Sequence, residues 1–169
     1  YGQHDDMVTE TSELKPHWPY GVSKLAGEMY AMQYHRLYGM NVNCFRYSIV
    51  YGEREWYGRV LTMFIKRAFQ QKPLVVFGNG LQVRDYIYVG DVVKAHTQAG
   101  KQNVTGQVFN VSSKTKYRVL DVATLVMFLA RQYNLHTNII YDDPPEGQVS
   151  QYQPERVRLV GELKYFVLD

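Results

Sequence analysis

The chain has 169 residues, 46 % hydrophobic and 21 % charged, which is long and apolar enough for a folded domain with a buried core. Its net charge of +3 comes from scattered rather than clustered basic residues, so we expect no nucleic-acid partner. A single cysteine, Cys44, excludes an internal disulfide and a cysteine-built metal site.

Two further absences narrow the class of protein. The five histidines show no metal-ligand spacing, so we expect no metal. The longest apolar run, Val122 to Ala130, is far shorter than the roughly 18 residues of a membrane span. We therefore expect a cytoplasmic protein without a membrane partner.

The first predicted element is a helix from Tyr20 to about Tyr38, which follows Pro19 and ends at Gly39. Apolar, small or neutral residues recur in it at helical spacing, namely Val22, Leu25, Ala26, Met29, Tyr30, Gln33 and Leu37. The β-rich run 41–47 follows as a predicted strand. A helix, a short turn and a strand are the ingredients of a parallel α/β sheet.

The rest of the chain continues to alternate strands and helices, which is typical of the α/β class. The pattern predicts helices at 59–71, 90–100 and 119–133, and strands at 74–77, 85–89, 106–112 and 137–141. Parallel sheets need cover on both faces, and only a few strands are available. We therefore expect dimerisation or association with a missing half of the domain.

The stretch "WPYGVSK", residues 18–24, places Tyr20 and Lys24 four residues apart at the start of the first helix. Residues at this spacing lie on one helix face. A tyrosine can give or take a proton at an alcohol or carbonyl, and a nearby ammonium favours its phenolate. The pair is therefore a candidate for acid/base chemistry coupled to hydride transfer, with an ordinary surface pair as the alternative.

Three stretches set this pair in a wider pattern: "PYGVSKLAGE" at 19–28, "FRYSIVYGER" at 45–54 and "FGNGLQVRDYIYVGDVV" at 77–93. In order and spacing the chain resembles the extended short-chain dehydrogenase/reductase family, specifically its NAD-dependent nucleotide-sugar epimerases and dehydratases. The resemblance implies that residues 1–169 are the C-terminal part of a doubly wound, Rossmann-type parallel sheet. A smaller α/β substrate-binding lobe, roughly 52–88 and 137–169, would be interwoven with it.

The resemblance also implies roles for four residues on the cofactor side. Tyr20 would be the catalytic acid/base, and Lys24 would bind the nicotinamide ribose and tune Tyr20. Tyr47 and Ser48 would lie beside the nicotinamide of NAD. The choice between NAD and NADP stays open, because the residue that decides it in the family is not among these stretches.

Four more residues are implied on the substrate side. Arg84 would hold the diphosphate of the nucleotide-sugar, a role that suits a planar guanidinium with several donors. Leu61, Val75 and Phe77 would line the pocket of the nucleotide base. Plainer alternatives are an Arg84–Asp85 surface ion pair and three ordinary core residues.

The chain departs from the family pattern in several places. The glycine-rich cofactor loop and the catalytic serine or threonine do not occur in it. Ile49 stands where family members often have asparagine, and Pro145 stands at the position of a second phosphate-binding arginine. Arg156 or Arg158 could replace that arginine.

We expect a UDP-sugar 4-epimerase, with a dehydratase or decarboxylase of the same family as the alternative enzyme. A non-catalytic nucleotide-sugar-binding module is the alternative outside enzymes. The resemblance further implies pairing of two copies through the first helix, to which Leu25, Met29 and Met32 would contribute.

Overall fold

The structure is a computed structural model that describes residue 1, residues 7–144 and the strand at 159–160. Its helices are α1 (Pro19–Tyr38), α2 (Val60–Phe69), α3 (Val89–Lys101) and α4 (Val119–Gln132). Its strands are β1 (Met7–Val8), β2 (Asn43–Tyr47), β3 (Ile49–Tyr51), β4 (Leu74–Phe77), β5 (Val83–Arg84), β6 (Tyr86–Tyr88), β7 (Gln107–Val111), β8 (Tyr117–Arg118), β9 (Ile139–Asp142) and β10 (Leu159–Val160).

The four predicted helices are confirmed to within two residues at each end, and so are the strands that became β2, β4, β6, β7 and β9. The strands β1, β3, β5, β8 and β10 were not predicted. Each of them has only two or three residues, which is too few to show an alternating pattern of apolar side chains.

The chain divides into two compact units. The first comprises residues 1–50, 85–115 and 158–169, and the second comprises 51–84 and 116–157. The second unit overlaps the predicted lobe at 52–88 and also contains α4, and its role as a substrate-binding lobe stays a prediction. Pro145, Arg156 and Arg158 lie outside the described residues.

The first unit is built on the parallel pair β2 and β7. Residues 43–47 lie opposite 107–111, one to one, so both strands end at the same edge. Helix α3 packs on the strands and buries Ala95 and Ala99. The apolar residues of this core are Phe45, Val50, Ile87, Val92, Ala95, Ala99, Val104, Phe109 and Val111.

The second unit is built on the parallel pair β4 and β9, against which α2 and α4 pack. Alternate residues of β4 are buried, Leu74 and Val76, while Val75 and Phe77 are half-buried. This alternation is expected of a strand whose two faces differ in cover. A tight turn with Gly80 at a φ of +71° leads from β4 towards β5, which pairs with β8 in the antiparallel sense.

Helix α1 differs from the other three helices because none of its residues is buried. The apolar series that predicts this helix therefore does not lie in a core of the described chain, and Met29 and Tyr30 are 61 % and 71 % exposed. The helix ends as expected at Gly39, which is left-handed and donates its N–H to the His35 carbonyl. Within the described residues, no helix is long and apolar enough to cross a membrane.

Candidate active site

Tyr20 and Lys24 lie in the first turn and a half of α1, in the first unit. Pro19 occupies the start of the helix, where its missing N–H costs nothing. The Lys24 ammonium lies 5.3 Å from the centroid of the Tyr20 ring, within reach of a cation–π contact. Tyr20 is 73 % exposed, so its phenol is open to a ligand.

Tyr47 is the last residue of β2 and lies at the carboxyl edge of the parallel pair. In open α/β sheets this is the edge at which ligands bind. Its hydroxyl lies 2.5 Å from His96 Nε2, and the His96 ring also packs on Phe45, 4.3 Å between centroids. Partial burial raises the pKa of Tyr47, so the phenol stays protonated at neutral pH.

Ser48 and Asp85 form a buried polar cluster just beyond the same edge. The Asp85 carboxylate accepts hydrogen bonds from the amide and hydroxyl of Ser113 at 3.2 and 3.1 Å. Ser48 donates its backbone N–H to Val111, and its buried hydroxyl lies beside the Asp85 carboxylate. Burial raises the pKa of Asp85, and the nearby serine hydroxyls offset part of that effect.

Arg46, next to Tyr47, forms a two-pronged ion pair with Glu28 of α1. Its Nε donates to Glu28 Oε2 at 2.8 Å and its Nη2 donates to Oε1 at 2.5 Å. The third nitrogen donates to the Tyr1 hydroxyl and to the Glu10 carbonyl oxygen. Burial lowers the pKa of Arg46, but the bonds to Glu28 and Tyr1 outweigh it and the pKa is raised.

The predicted substrate residues all lie in the second unit. Leu61 is in α2, Val75 and Phe77 are in β4, and all three are half-buried. Arg84 ends β5, and its Nη1 donates to the Val83 carbonyl at 2.8 Å. Asp85, the neighbour of Arg84, is buried, and the roles of all four residues stay predictions.

The structure brings Tyr20 and Lys24 together on one helix face, as predicted. Tyr47 and Ser48 lie side by side in the same unit. No hydrogen bond among the described residues joins the first pair to the second. The eight residues therefore fall into three groups, the helix pair, the strand-end pair and the residues of the second unit.

The sequence did not reveal the residues that support these groups, namely Glu28, Arg46, Asp85, His96 and Ser113. Their partners are 18 to 49 residues away in the chain, so no local periodicity marks them. Only for Glu28 did the sequence offer a local signal. Glu28 follows Lys24 by one helical turn, which places it on the same side of α1 as the Tyr20–Lys24 pair.

The residues of the first unit fit one end of a dinucleotide cofactor. The exposed Tyr20 phenol, the Lys24 ammonium and the half-exposed Tyr47 ring are groups of the kinds that contact a nicotinamide and its ribose. The sequence has no glycine-rich loop for the pyrophosphate. Among the described residues, no group of three His, Cys, Asp or Glu side chains is arranged to hold a metal ion.

A sequence model of the NAD dependent epimerase/dehydratase family matches residues 1–112. An uncharacterized UDP-glucose epimerase of Bacillus subtilis is 36 % identical over 138 residues, which are 80 % of this chain and 44 % of that protein. The chain spans about half the length of the curated relatives that it matches first.

Solved structures agree with the sequence comparison. The UDP-glucose 4-epimerase of Thermotoga maritima, determined with UDP-glucose, matches with a TM-score of 0.79 and 30 % identity over 91 % of this chain and 48 % of that one. The UDP-glucuronic acid 4-epimerase of Bacillus cereus, determined with NAD, gives 0.73 and 29 % over 91 % and 53 %. The chain therefore has the α/β, Rossmann-like fold of these enzymes.

Proposed function

Because the chain belongs to the NAD dependent epimerase/dehydratase family, we propose that the protein containing it is a nucleotide-sugar 4-epimerase, with a UDP-sugar as substrate. The observation that carries this proposal is the Tyr20–Lys24 pair, with an exposed phenol and an ammonium 5.3 Å from its ring. Similar proteins support the choice of substrate, since the two solved structures are of UDP-sugar 4-epimerases.

Tyr20 and Lys24 perform the proton chemistry in this proposal. The Tyr20 phenolate takes the proton of the sugar hydroxyl at the carbon that inverts, and returns it when the hydroxyl is restored. The Lys24 ammonium stabilises that phenolate by charge and also binds the ribose of the cofactor. When bound, NAD supplies the acceptor and donor for the hydride of that carbon.

Tyr47 and Ser48 would hold the nicotinamide end of NAD at the carboxyl edge of β2. Tyr47 presents a neutral ring that places no charge beside the cofactor, and burial raises the pKa of its phenol further above its ordinary value. His96 holds the hydroxyl of that ring. NADP is an alternative cofactor that these residues do not distinguish from NAD.

The second unit would bind the nucleotide. Arg84 supplies the guanidinium for the diphosphate, a group that two parallel N–H donors recognise well. Leu61, Val75 and Phe77 supply the apolar walls for the base. Their half-buried state supports this, because a residue that contacts a ligand must keep part of its surface outside the core.

Two other functions remain as alternatives. A dehydratase or decarboxylase would use the same tyrosine and lysine, and the family's own description covers epimerases and dehydratases together. A non-catalytic nucleotide-sugar-binding module is the alternative outside enzymes, and it predicts nucleotide binding without turnover.

Product analysis by NMR separates these functions. The protein that contains the chain is incubated with NAD and, in turn, UDP-glucose and UDP-glucuronate. A 4-epimerase yields the corresponding UDP-galactose or UDP-galacturonate, whereas a dehydratase yields a 4-keto-6-deoxy sugar and a decarboxylase a pentose. Unchanged substrate together with saturable UDP binding would contradict the enzyme proposal and favour the binding module.

We also propose that the chain associates, either with a second copy or with the rest of its domain. The support is that α1 buries none of its residues and that Met29 is 61 % exposed. Size-exclusion chromatography with light scattering should give a mass well above the 19.7 kDa of the chain. Met29→Lys should lower that mass, and a monomer at high concentration would contradict self-association.

A further inference from the structure

The ion pair between Arg46 and Glu28 differs from the other described ion pairs in its burial. The two side chains are only 16 % and 17 % exposed. The pair between Lys94 and Asp91 on α3, by contrast, has exposures of 56 % and 34 % and a single contact at 3.1 Å. Exposed ion pairs such as Lys94–Asp91 contribute little to stability or geometry.

The geometry of the Arg46–Glu28 pair fixes orientation as well as distance. Two nitrogens of the guanidinium donate to the two oxygens of one carboxylate, which fixes the orientation of the two planar groups relative to each other. A lysine could supply the charge but not the fork. The pair therefore resists sliding or rotation of α1 along β2.

The positions of the two residues in the chain give this contact its significance. Glu28 follows Lys24 by four residues and Tyr20 by eight, so all three lie along the same side of α1. Arg46 immediately precedes Tyr47, the last residue of β2, and Ser48 follows. The ion pair thus joins the element that bears the proposed acid/base pair to the element that bears the proposed nicotinamide contacts.

Arg46 is itself held from a second side. The Tyr1 hydroxyl accepts a bond from Arg46 and donates one to Asn110 of β7 at 2.6 Å, and the Tyr1 ring lies 4.7 Å from the guanidinium carbon. Burial raises the pKa of Tyr1, so this hydroxyl remains a donor at neutral pH. The guanidinium is therefore fixed to β7 as well as to α1.

We propose that Glu28 and Arg46 are positioning residues that hold Tyr20 and Lys24 of α1 in register with Tyr47, the last residue of β2, and with Ser48, which follows it. The inference rests on the proposed function, in which both pairs serve one nicotinamide. Neither residue touches the reacting atoms. They set the distance between the Tyr20–Lys24 pair and the Tyr47–Ser48 pair, which make no hydrogen bond to each other among the described residues.

The test measures ligand binding and local structure in the same variants of the 169-residue chain. Glu28→Gln removes the charge and keeps the shape, and Arg46→Lys keeps the charge and removes the fork. We expect each to weaken NADH binding, followed by fluorescence titration, about tenfold. UDP binding, which depends on the second unit, should change by less than about twofold.

Asp91→Asn is the matched control, because it breaks an exposed ion pair within α3 of the same unit. It should leave both affinities within about twofold of the wild type. Wild-type NADH affinity in both Glu28→Gln and Arg46→Lys would overturn the inference and leave the proposed function standing. Equal loss of NADH and UDP binding would also overturn it, because that pattern indicates general destabilisation.

Amide NMR decides the inference independently of NADH. In Glu28→Gln and Arg46→Lys, the amide signals of Tyr20, Lys24 and Tyr47 should shift, and the Ser48 amide, bonded to Val111, should exchange faster with solvent. Unchanged amide signals would overturn the inference.

If the wild-type chain binds no NADH, cofactor binding by this chain fails, and the amide signals still decide the positioning role. If Glu28→Gln does not fold, Arg46→Lys is the deciding variant.

Discussion

The ionisation of Asp85 in the first unit is controlled by burial. It is 3 % exposed, and only one of its two carboxylate oxygens has a hydrogen-bond partner among the described residues. Burial raises its pKa above the ordinary value of an aspartate, which the Ser113 bonds offset in part. The folded state therefore holds the Asp85 proton more tightly than the unfolded state does.

This difference predicts how stability depends on pH. As pH rises above about 4, the unfolded carboxyl releases its proton before the folded one, so the free energy of unfolding falls. Asp85→Asn cannot titrate. In urea unfolding, the wild type should therefore lose stability relative to Asp85→Asn between about pH 4 and neutrality. At lower pH both forms are neutral and the difference between them should be constant.

Asp91→Asn controls for the loss of one negative charge in the same unit. Its stability should follow the wild-type curve rather than that of Asp85→Asn. A constant difference between the wild type and Asp85→Asn over the whole pH range would contradict the account of Asp85.

The residues of the site also show what the sequence could and could not predict. Tyr20 and Lys24 were predictable because helical spacing alone puts them on one face. The contacts of Tyr47 with His96 and of Asp85 with Ser113 were not, because strand pairing and helix docking bring together residues 49 and 28 positions apart. Spacing along the chain carries no information about such contacts.

At the scale of elements, Gly80 is the position where backbone and packing constrain the sequence together. Its φ of +71° disfavours a side chain, and an added Cβ would lie 2.7 Å from Val76 Cγ1 and 3.0 Å from Leu120 Cβ. The turn therefore depends on glycine both for its conformation and for the approach of α4 to β4.

Gly80→Ala should lower the free energy of unfolding by about 2 kcal/mol or more, because it adds backbone strain and overpacks the turn. Gly27→Ala is the matched control, since Gly27 lies inside α1 with nothing within 4 Å of an added Cβ. It should raise stability by up to about 1 kcal/mol. Urea unfolding measures both, and equal effects of the two substitutions would contradict the account of the turn.

The elements themselves were predictable in proportion to their length. Helices of 10 to 20 residues show apolar periodicity over several turns, and β2, β4 and β7 are strands of four or five residues with a clear β-rich composition. The pairs β1–β10 and β5–β8 join strands of two residues each. Their existence depends on tertiary packing, which local propensity does not specify.

At the scale of the whole molecule, the α/β class follows from alternation of helices and strands, and the two parallel pairs confirm it. Helix α1 was expected to pair with a second copy, and that pairing stays a prediction. Its apolar residues are spaced as in a helix that packs, yet none is buried. The chain spans about half the length of its relatives, so burial of this helix by another part of the protein or by a second copy is consistent with that spacing.

The central claim is that Tyr20 is the acid/base of a nucleotide-sugar reaction, and the rate of product formation in two tyrosine variants of α1 tests it most directly. Tyr20→Phe removes the proposed catalytic hydroxyl, while Tyr30→Phe removes one from an equally exposed tyrosine of the same helix. With NAD and UDP-glucose, Tyr30→Phe should form UDP-galactose at the wild-type rate. Tyr20→Phe should be slower by about a hundredfold or more. Equal rates in the two variants would contradict the claim.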